Sequence, residues 1–224
     1  MIVRRGGVHP LDLRDDRGRP ATTRATHIVV ISEDAWNLAM GSVVGVPIVP
    51  GAPTVDLFHV GIAALGHADA SLAQSFGRAS LGDEVLVVDP APVADAVAAY
   101  LGLDDLRAMR IRRPVPMPRD ESRARQKEIH WADVGLDERK RLLVLSPDER
   151  NATAPYVTTL YTTSRDKRNR RPWQVPAAGG WVITGDLLVR GHRSLEHRRR
   201  PSPARASAGE MAEVASGVRD LLSG

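Results

Sequence analysis

The run Leu142-Leu143-Val144-Leu145-Ser146-Pro147-Asp148-Glu149-Arg150-Asn151 decides how this chain is read, because its pattern occurs twice. The counterpart, 114 positions earlier, is Ile28-Val29-Val30-Ile31-Ser32-Glu33-Asp34-Ala35-Trp36-Asn37. Both are four aliphatic residues followed by Ser-x-Asp-x-x-Asn. Four aliphatics bounded by polar, turn-forming residues make the pattern of a short strand buried on both faces. Asp34 and Asp148 stand where a short helical turn can begin, with Ser32 and Ser146 as its expected caps.

Working outward, the match continues. Val8-His9-Pro10-Leu11-Asp12-Leu13 returns as Ile129-His130-Trp131-Ala132-Asp133-Val134 at an offset of 121, so the connection after the first strand is seven residues shorter in the second copy. The matched positions of His9 and His130 point to a structural role. Val43–Val49 and Tyr156–Thr162 read as the next strands. Leu57–Ile62 and Val85–Val88 follow in the first copy, Trp181–Thr184 and Leu187–Val189 in the second, with a turn at Gly179-Gly180. Helical patterns at Val93–Leu103 and Glu210–Leu222 close the copies. Self-similarity of this kind predicts two copies of one small domain, 1–103 and 127–224. Between them, 104–126 reads as a linker, its Arg112-Arg113-Pro114-Val115-Pro116-Met117-Pro118 unable to continue helix or central strand. A second loop-like insert runs from His197 to Arg205. Many short strands with mostly terminal helices predict a mainly β, α+β chain built as small twisted barrels.

The composition agrees with a folded chain. Of 224 residues, 42% are hydrophobic and 26% charged, close to globular averages. Cysteine is absent, which excludes disulfides, thiolate metal centres and cysteine nucleophiles. The histidines and carboxylates show no metal-ligand spacing, so neither a metal nor a cofactor is expected. No apolar run approaches the ~20 residues of a membrane span, and the first residues carry no secretion-signal pattern, which predicts a cytoplasmic protein. Charge is lopsided: residues 1–103 sum to −4 and residues 104–224 to +8. A basic half beside an acidic one points to a polyanionic partner for the basic half.

The order of these features resembles the MazF/PemK family of toxin–antitoxin toxins, met twice in tandem. The resemblance rests on Arg5-Gly6-Gly7-Val8, Asp12-Leu13 and the Ser32-to-Asn37 motif in the first copy. In the second it rests on Glu128-Ile129, Asp133-Val134, the Ser146-to-Asn151 motif and Leu160-Tyr161-Thr162-Thr163. It implies an SH3-like barrel of the CcdB/MazF/PemK type in each copy, each ending in a helix, the pair arranged as a pseudo-dimer in place of the family's homodimer. It also implies a metal-independent, sequence-selective endoribonuclease acting on single-stranded RNA, with an antitoxin protein as a further partner. The family's threonine falls on Thr162 and its arginine on Lys140, flanked by Arg139 and Arg141. The first copy holds Val49 and Thr26 there, which marks it as catalytically degenerate.

Cutting RNA through its own 2′-OH needs a proton acceptor, a proton donor and positive charge on the phosphorane oxygens. A preorganised donor to such charge is worth about 3–4 kcal/mol of barrier. Lys140, Arg141 and Thr162 are the candidate catalytic residues: cations on the phosphate, a hydroxyl donating to it, and a lysine among cations as general acid. Arg139, Thr163, Arg165, Lys167, Arg168, Arg170, Arg171 and Trp173 are the candidate RNA-binding residues. Basic groups would hold phosphates with a steep salt dependence, while Trp173 or Tyr161 would stack a base. Two other functions fit the same residues: an inactive module that binds RNA or antitoxin, and a CcdB-like poison of a protein target such as gyrase.

Overall fold

In the computed structural model the residues that can be described are 2–13, 24–51, 57–103, 123–133, 139–165, 173–177, 179–196 and 204–223. The chain divides into two units, Met1–Tyr100 together with Asp220–Gly224, and Leu101–Arg219.

The first unit carries β1 (Gly7–Pro10), β2 (His27–Val30), α1 (Asp34–Ala39), β3 (Ser42–Val49), β4 (His59–Ile62), β5 (Gly66–Asp69), β6 (Gln74–Gly77), β7 (Leu86–Val87) and α2 (Ala91–Leu101). The second carries β8 (Glu128–Asp133), β9 (Arg139–Val144), α3 (Asp148–Asn151), β10 (Tyr156–Thr163), β11 (Gln174–Ala177), β12 (Gly180–Gly191), β13 (Leu195–Glu196), β14 (Ala204–Arg205) and α4 (Ala208–Ser223) up to Arg219, the end of α4 from Asp220 belonging to the first unit. Each unit is one antiparallel seven-stranded sheet, ordered β4-β5-β3-β2-β1-β7 with β6 also on β3, and β11-β12-β10-β9-β8-β13 with β14 also on β8. This is the α+β, strand-dominated class expected from the sequence.

Both sheets curl, and the pairing requires it. Gly77 at the end of β6 pairs Ser42 on the outer side of β3, while Leu81 bridges Leu11, just past β1 on the opposite side of the ribbon. In a flat sheet those outer partners would stand about four strand spacings apart, ~19 Å. Four residues reach at most ~14 Å even fully extended, and here a turn of 3-10 helix occupies Arg78–Ser80. The ribbon therefore bends into a half-barrel. In the second unit β12 ends beside β10 at Gly191, and Leu195 pairs Ala132 of β8 after an equally short turn at His192–Ser194.

The insides of the two curls share six positions, to which the first adds Phe76. Val3, Ile28, Val30, Val43 and Leu81, with Leu11 against them, fill the first. Ala124, Leu142, Val144, Val157, Leu195 and Ala132 fill the second. Every pair is separated by 121 before the first strand's connection and by 114 after it. The smaller Ala124 and Ala132 stand where the first unit has Val3 and Leu11.

The repeated motif ties strand to helix identically in both units. Ser32 Oγ donates to Asn37 Oδ1 at 2.6 Å and accepts the Val44 amide at 2.9 Å, and Asn37 Nδ2 returns to the Ser32 carbonyl at 3.1 Å. Ser146 and Asn151 repeat this at 2.6 and 2.9 Å, with the Thr158 amide at 3.0 Å. Asp34 accepts the Arg5 amide at 2.6 Å and Asp148 the Gln126 amide at 2.7 Å. The serines are not the helix caps expected: Glu33 and Pro147 occupy the N-cap positions, and neither makes a side-chain cap bond. The hydroxyls are taken by the neighbouring strand instead, where an unpaired buried amide would cost more than a helix end left to solvent.

Before each first strand the backbone turns left-handed, at Gly6 (φ 79°) and Lys127 (φ 73°). A Cβ on Gly6 would meet the Val88 carbonyl oxygen at 2.5 Å, so the first unit needs glycine there. The second places a lysine in a conformation that L-residues adopt at a cost.

Four expectations are corrected. Trp181–Thr184 and Leu187–Val189 belong to one strand, β12, whose register against β10 shifts between Leu160 and Thr162. Leu57 is not in a strand: β4 begins at His59. β5 and β6 are additional strands. Arg123–Gln126 of the expected linker are packed in the second unit, with Ala124 buried and Arg123 donating to the carbonyls of Asn151 and Ala154 at 2.8 and 3.1 Å. Residues 104–122 of that linker, and His197–Pro203 of the second insert, lie outside the described residues.

Candidate nucleic-acid interface

β8, β9 and β10 lie side by side, and their register arranges the candidate residues. Arg141 stands opposite Trp131 of β8 on one side and Thr162 of β10 on the other. Arg139 stands opposite Asp133. Directly opposed residues on an antiparallel pair share a face, and successive residues alternate. Trp131, Asp133, Arg139, Arg141 and Thr162 therefore occupy one face near the ends of three strands. Arg139 lies over the Trp131 ring, 5.7 Å from guanidinium carbon to centroid, within cation–π range. Trp131 is 43% exposed, a large aromatic left in solvent beside two arginines.

Lys140 falls on the other face. It pairs with Ala132, whose side chain belongs to the small core, and Tyr161 packs on that core from β10. Lys140, half-buried, thus stands at the mouth of the curl, while Arg141 and Thr162 face away from it. The three candidate catalytic residues do not all converge. The physical reason is strand geometry: neighbours in sequence point to opposite faces.

Thr162 Oγ1 donates to the Arg141 carbonyl at 3.1 Å, so its proton is engaged within the sheet. Thr163 Oγ1 accepts the Arg165 amide at 3.1 Å, which fixes the chain as it leaves β10. Arg165 is exposed. Trp173 is half-buried, and its carbonyl receives the amide and hydroxyl of Thr184 at 3.0 and 3.1 Å. Lys167, Arg168, Arg170 and Arg171 lie outside the described residues.

In the first unit the corresponding row is Pro10, His27 and Ile48. Register thus corrects the sequence alignment: Ile48, not Val49, stands in the place of Thr162. Both are aliphatic, so the hydroxyl is missing either way.

Behind Trp131 lies a charge cluster in which Glu128 and His130 of β8 are buried and Arg205 of β14 is about half exposed. Glu128 accepts from Arg205 at 2.6 Å and from the Arg125 amide at 2.9 Å, and lies 3.0 Å from His130 Nε2. Burial works to raise this carboxyl, but the bonds with His130, the Arg125 amide and Arg205 outweigh it and hold it down at about 2. The first unit answers with an exposed pair, Arg4 and Glu84, where the hydrogen bond from Arg4 lowers the Glu84 carboxyl. His9, buried as His130 is, bonds the Gly82 carbonyl through Nδ1 at 3.0 Å. Asp148 is pushed up by burial, against the bond from the Gln126 amide. Among the described residues no cluster of histidines and carboxylates could hold a metal ion, and no helix is long and apolar enough to cross a membrane.

No protein-family model matches the chain, and neither does any curated protein. Solved structures do. A chain of the MazE–MazF crystal structure from Deinococcus radiodurans is 26% identical over 45% of this chain and 96% of that one, with a TM-score of 0.38. MazF from the same organism is 27% identical over 46% and 98%, with a TM-score of 0.36. An endoribonuclease in complex with its cognate antitoxin, from a mycobacterial species, is 24% identical over 45% and 96%, with a TM-score of 0.38.

Proposed function

We propose that this chain is a tandem toxin-like protein of the MazF/PemK kind whose second unit binds and cleaves single-stranded RNA without a metal, while its first unit is catalytically silent. The observation that carries this reading is the contrast between equivalent rows. Trp131, Arg141 and Thr162 offer an aromatic face, a bidentate cation and a hydroxyl, where Pro10, His27 and Ile48 offer no permanent charge and no hydroxyl. The charge imbalance between the two halves of the chain points the same way.

In this reading Arg141 holds the scissile phosphate, and Thr162 turns its hydroxyl from the Arg141 carbonyl to a phosphate oxygen. Lys140, approaching from the mouth of the curl, serves as a proton donor only if the leaving oxygen lies over the sheet's end, where both faces are within reach. Arg165 and the basic residues after it would hold flanking phosphates. An antitoxin protein would act by covering this surface.

The test is cleavage of a mixed RNA panel by the full chain in the presence of a chelator, with 5′-hydroxyl ends mapped. Arg141→Ala is expected to lower the rate by about 100-fold or more, and so is Thr162→Ile, which installs the first unit's residue. Uncut RNA at high protein concentration removes the enzymatic reading. Salt-dependent binding without cleavage would leave an RNA-binding module in its place.

A further inference from the structure

We propose that Trp131 and Arg139 form a stacking subsite for one unpaired RNA base, immediately beside the phosphate held by Arg141. This inference rests on the RNA-binding reading of the second unit, and assigns the base contact to the opening strand rather than to the segment after β10.

Three observations carry it. Trp131 lies inside a strand, where alternation would normally allot an outward position to a polar or small residue. It is instead 43% exposed, while the next outward residue along β8 is the charged Asp133. Arg139 already lies over its ring, with the guanidinium carbon 5.7 Å from the centroid, so this face attracts a flat cation. A base is a flat group of the same kind, able to stack on indole and be covered by guanidinium. Arg141 is directly opposite Trp131 in the ladder, at the ~5 Å side-chain spacing of cross-strand neighbours. That is close enough for one nucleotide to place its base on the ring and its phosphate on the arginine. The equivalent position in the first unit is Pro10, which has no aromatic face, and opposite it stands His27, which carries no permanent charge.

Stacking of this type tolerates any base, since every base has a π-face. The subsite would therefore add affinity and register to the strand rather than select its sequence. Trp173 and Tyr161, the aromatics expected from the sequence to do this, are half-buried, and Tyr161 packs on the core.

The experiment uses the full chain and a dye-labelled, single-stranded 2′-O-methyl RNA that cannot be cut, titrated by fluorescence anisotropy at several salt concentrations. Trp131→Ala is expected to weaken binding about 5- to 150-fold, the alanine-substitution range for one stacked base. Its slope of log affinity against log salt should match the unsubstituted chain, because no phosphate contact is lost. Arg141→Ala should make that slope shallower. Placing a single abasic position along the RNA should reproduce the loss with the unsubstituted chain and add nothing further to Trp131→Ala. If Trp131→Ala loses its near-native melting transition, Trp131→Val, a better strand former, reads the same loss. Equal binding by the folded Trp131 variant and the unsubstituted chain overturns the subsite and leaves the RNA-cleaving reading standing. No binding by the unsubstituted chain overturns both.

Discussion

The two units hold the same frame and present different edges. Six core positions, the Ser–Asn clamp, the aspartate that fixes the chain before the first strand and the left-handed turn all recur position by position. The outward row across the three central strands does not: Pro10-His27-Ile48 in one, Trp131-Arg141-Thr162 in the other. Frame residues answer to burial, where a missing partner costs kilocalories. The outward row is not uniform in this respect: Trp131 is 43% exposed and Arg141 and Thr162 are half-buried, whereas Ile48 is fully buried. The comparison therefore separates a frame common to both halves from a row that opens to solvent most fully in the second.

The frame's equivalence breaks most visibly at the clamp. Asn37→Ala and Asn151→Ala each remove two buried hydrogen bonds and leave a serine hydroxyl and carbonyl short of partners, at a cost of about 2–4 kcal/mol. Equilibrium denaturant unfolding should show losses equal to within about 0.5 kcal/mol. A neutral result for either one would mean that the shared motif holds only one of the units together.

Acid should distinguish the units next. Glu128 has a folded-state value of about 2, below the ~4.3 of an unfolded glutamate. Its contribution is complete above that unfolded value and is lost as the pH falls from ~4.3 towards 2. Glu84 shifts in the same direction, but its pair with Arg4 lies in water and counts for little. Acid titration followed by melting should thus weaken the second unit first, and Glu128→Gln should flatten that part of its profile. An unchanged profile would show that the cluster around Glu128 has no electrostatic weight.

The smallest effect concerns the left-handed turn. Lys127→Gly gives the second unit the residue that its counterpart already uses at Gly6. The strain relieved, set against glycine's greater freedom when unfolded, should leave a gain of about 0.5–1 kcal/mol in thermal unfolding. A loss would mean that the lysine side chain contributes more than its backbone costs.

Much of the frame is legible in the sequence because apolar runs such as Ile28–Ile31 and Leu142–Leu145 announce buried strands wherever they occur. β5 and β6 are not. Gly66-His67-Ala68-Asp69 and Gln74-Ser75-Phe76-Gly77 carry no apolar period; they pair because β3 presents an open side to both, and β4 a second partner to β5. β12 was read as two strands because Gly185-Asp186 interrupts its apolar pattern at the place where the register slips. At the candidate interface, position singles out the cations and Thr162, but a period of two sends Lys140 and Arg141 to opposite faces. Trp131 carries no charge or titratable group to mark it in the sequence. The alternation Ile129-Trp131-Asp133, read outward from the apolar end, was the available signal.

The three-residue turns at Arg78–Ser80 and His192–Ser194 work like the pin of a hoop. Each joins two ladders that would be far apart on an unrolled surface, so the girth of the ring is set by chain length rather than by side-chain bulk. Residues added at the pin would relax the ring and swell its interior; residues added at a hairpin tip, such as the one at Gly179, would hang outside and leave the girth alone.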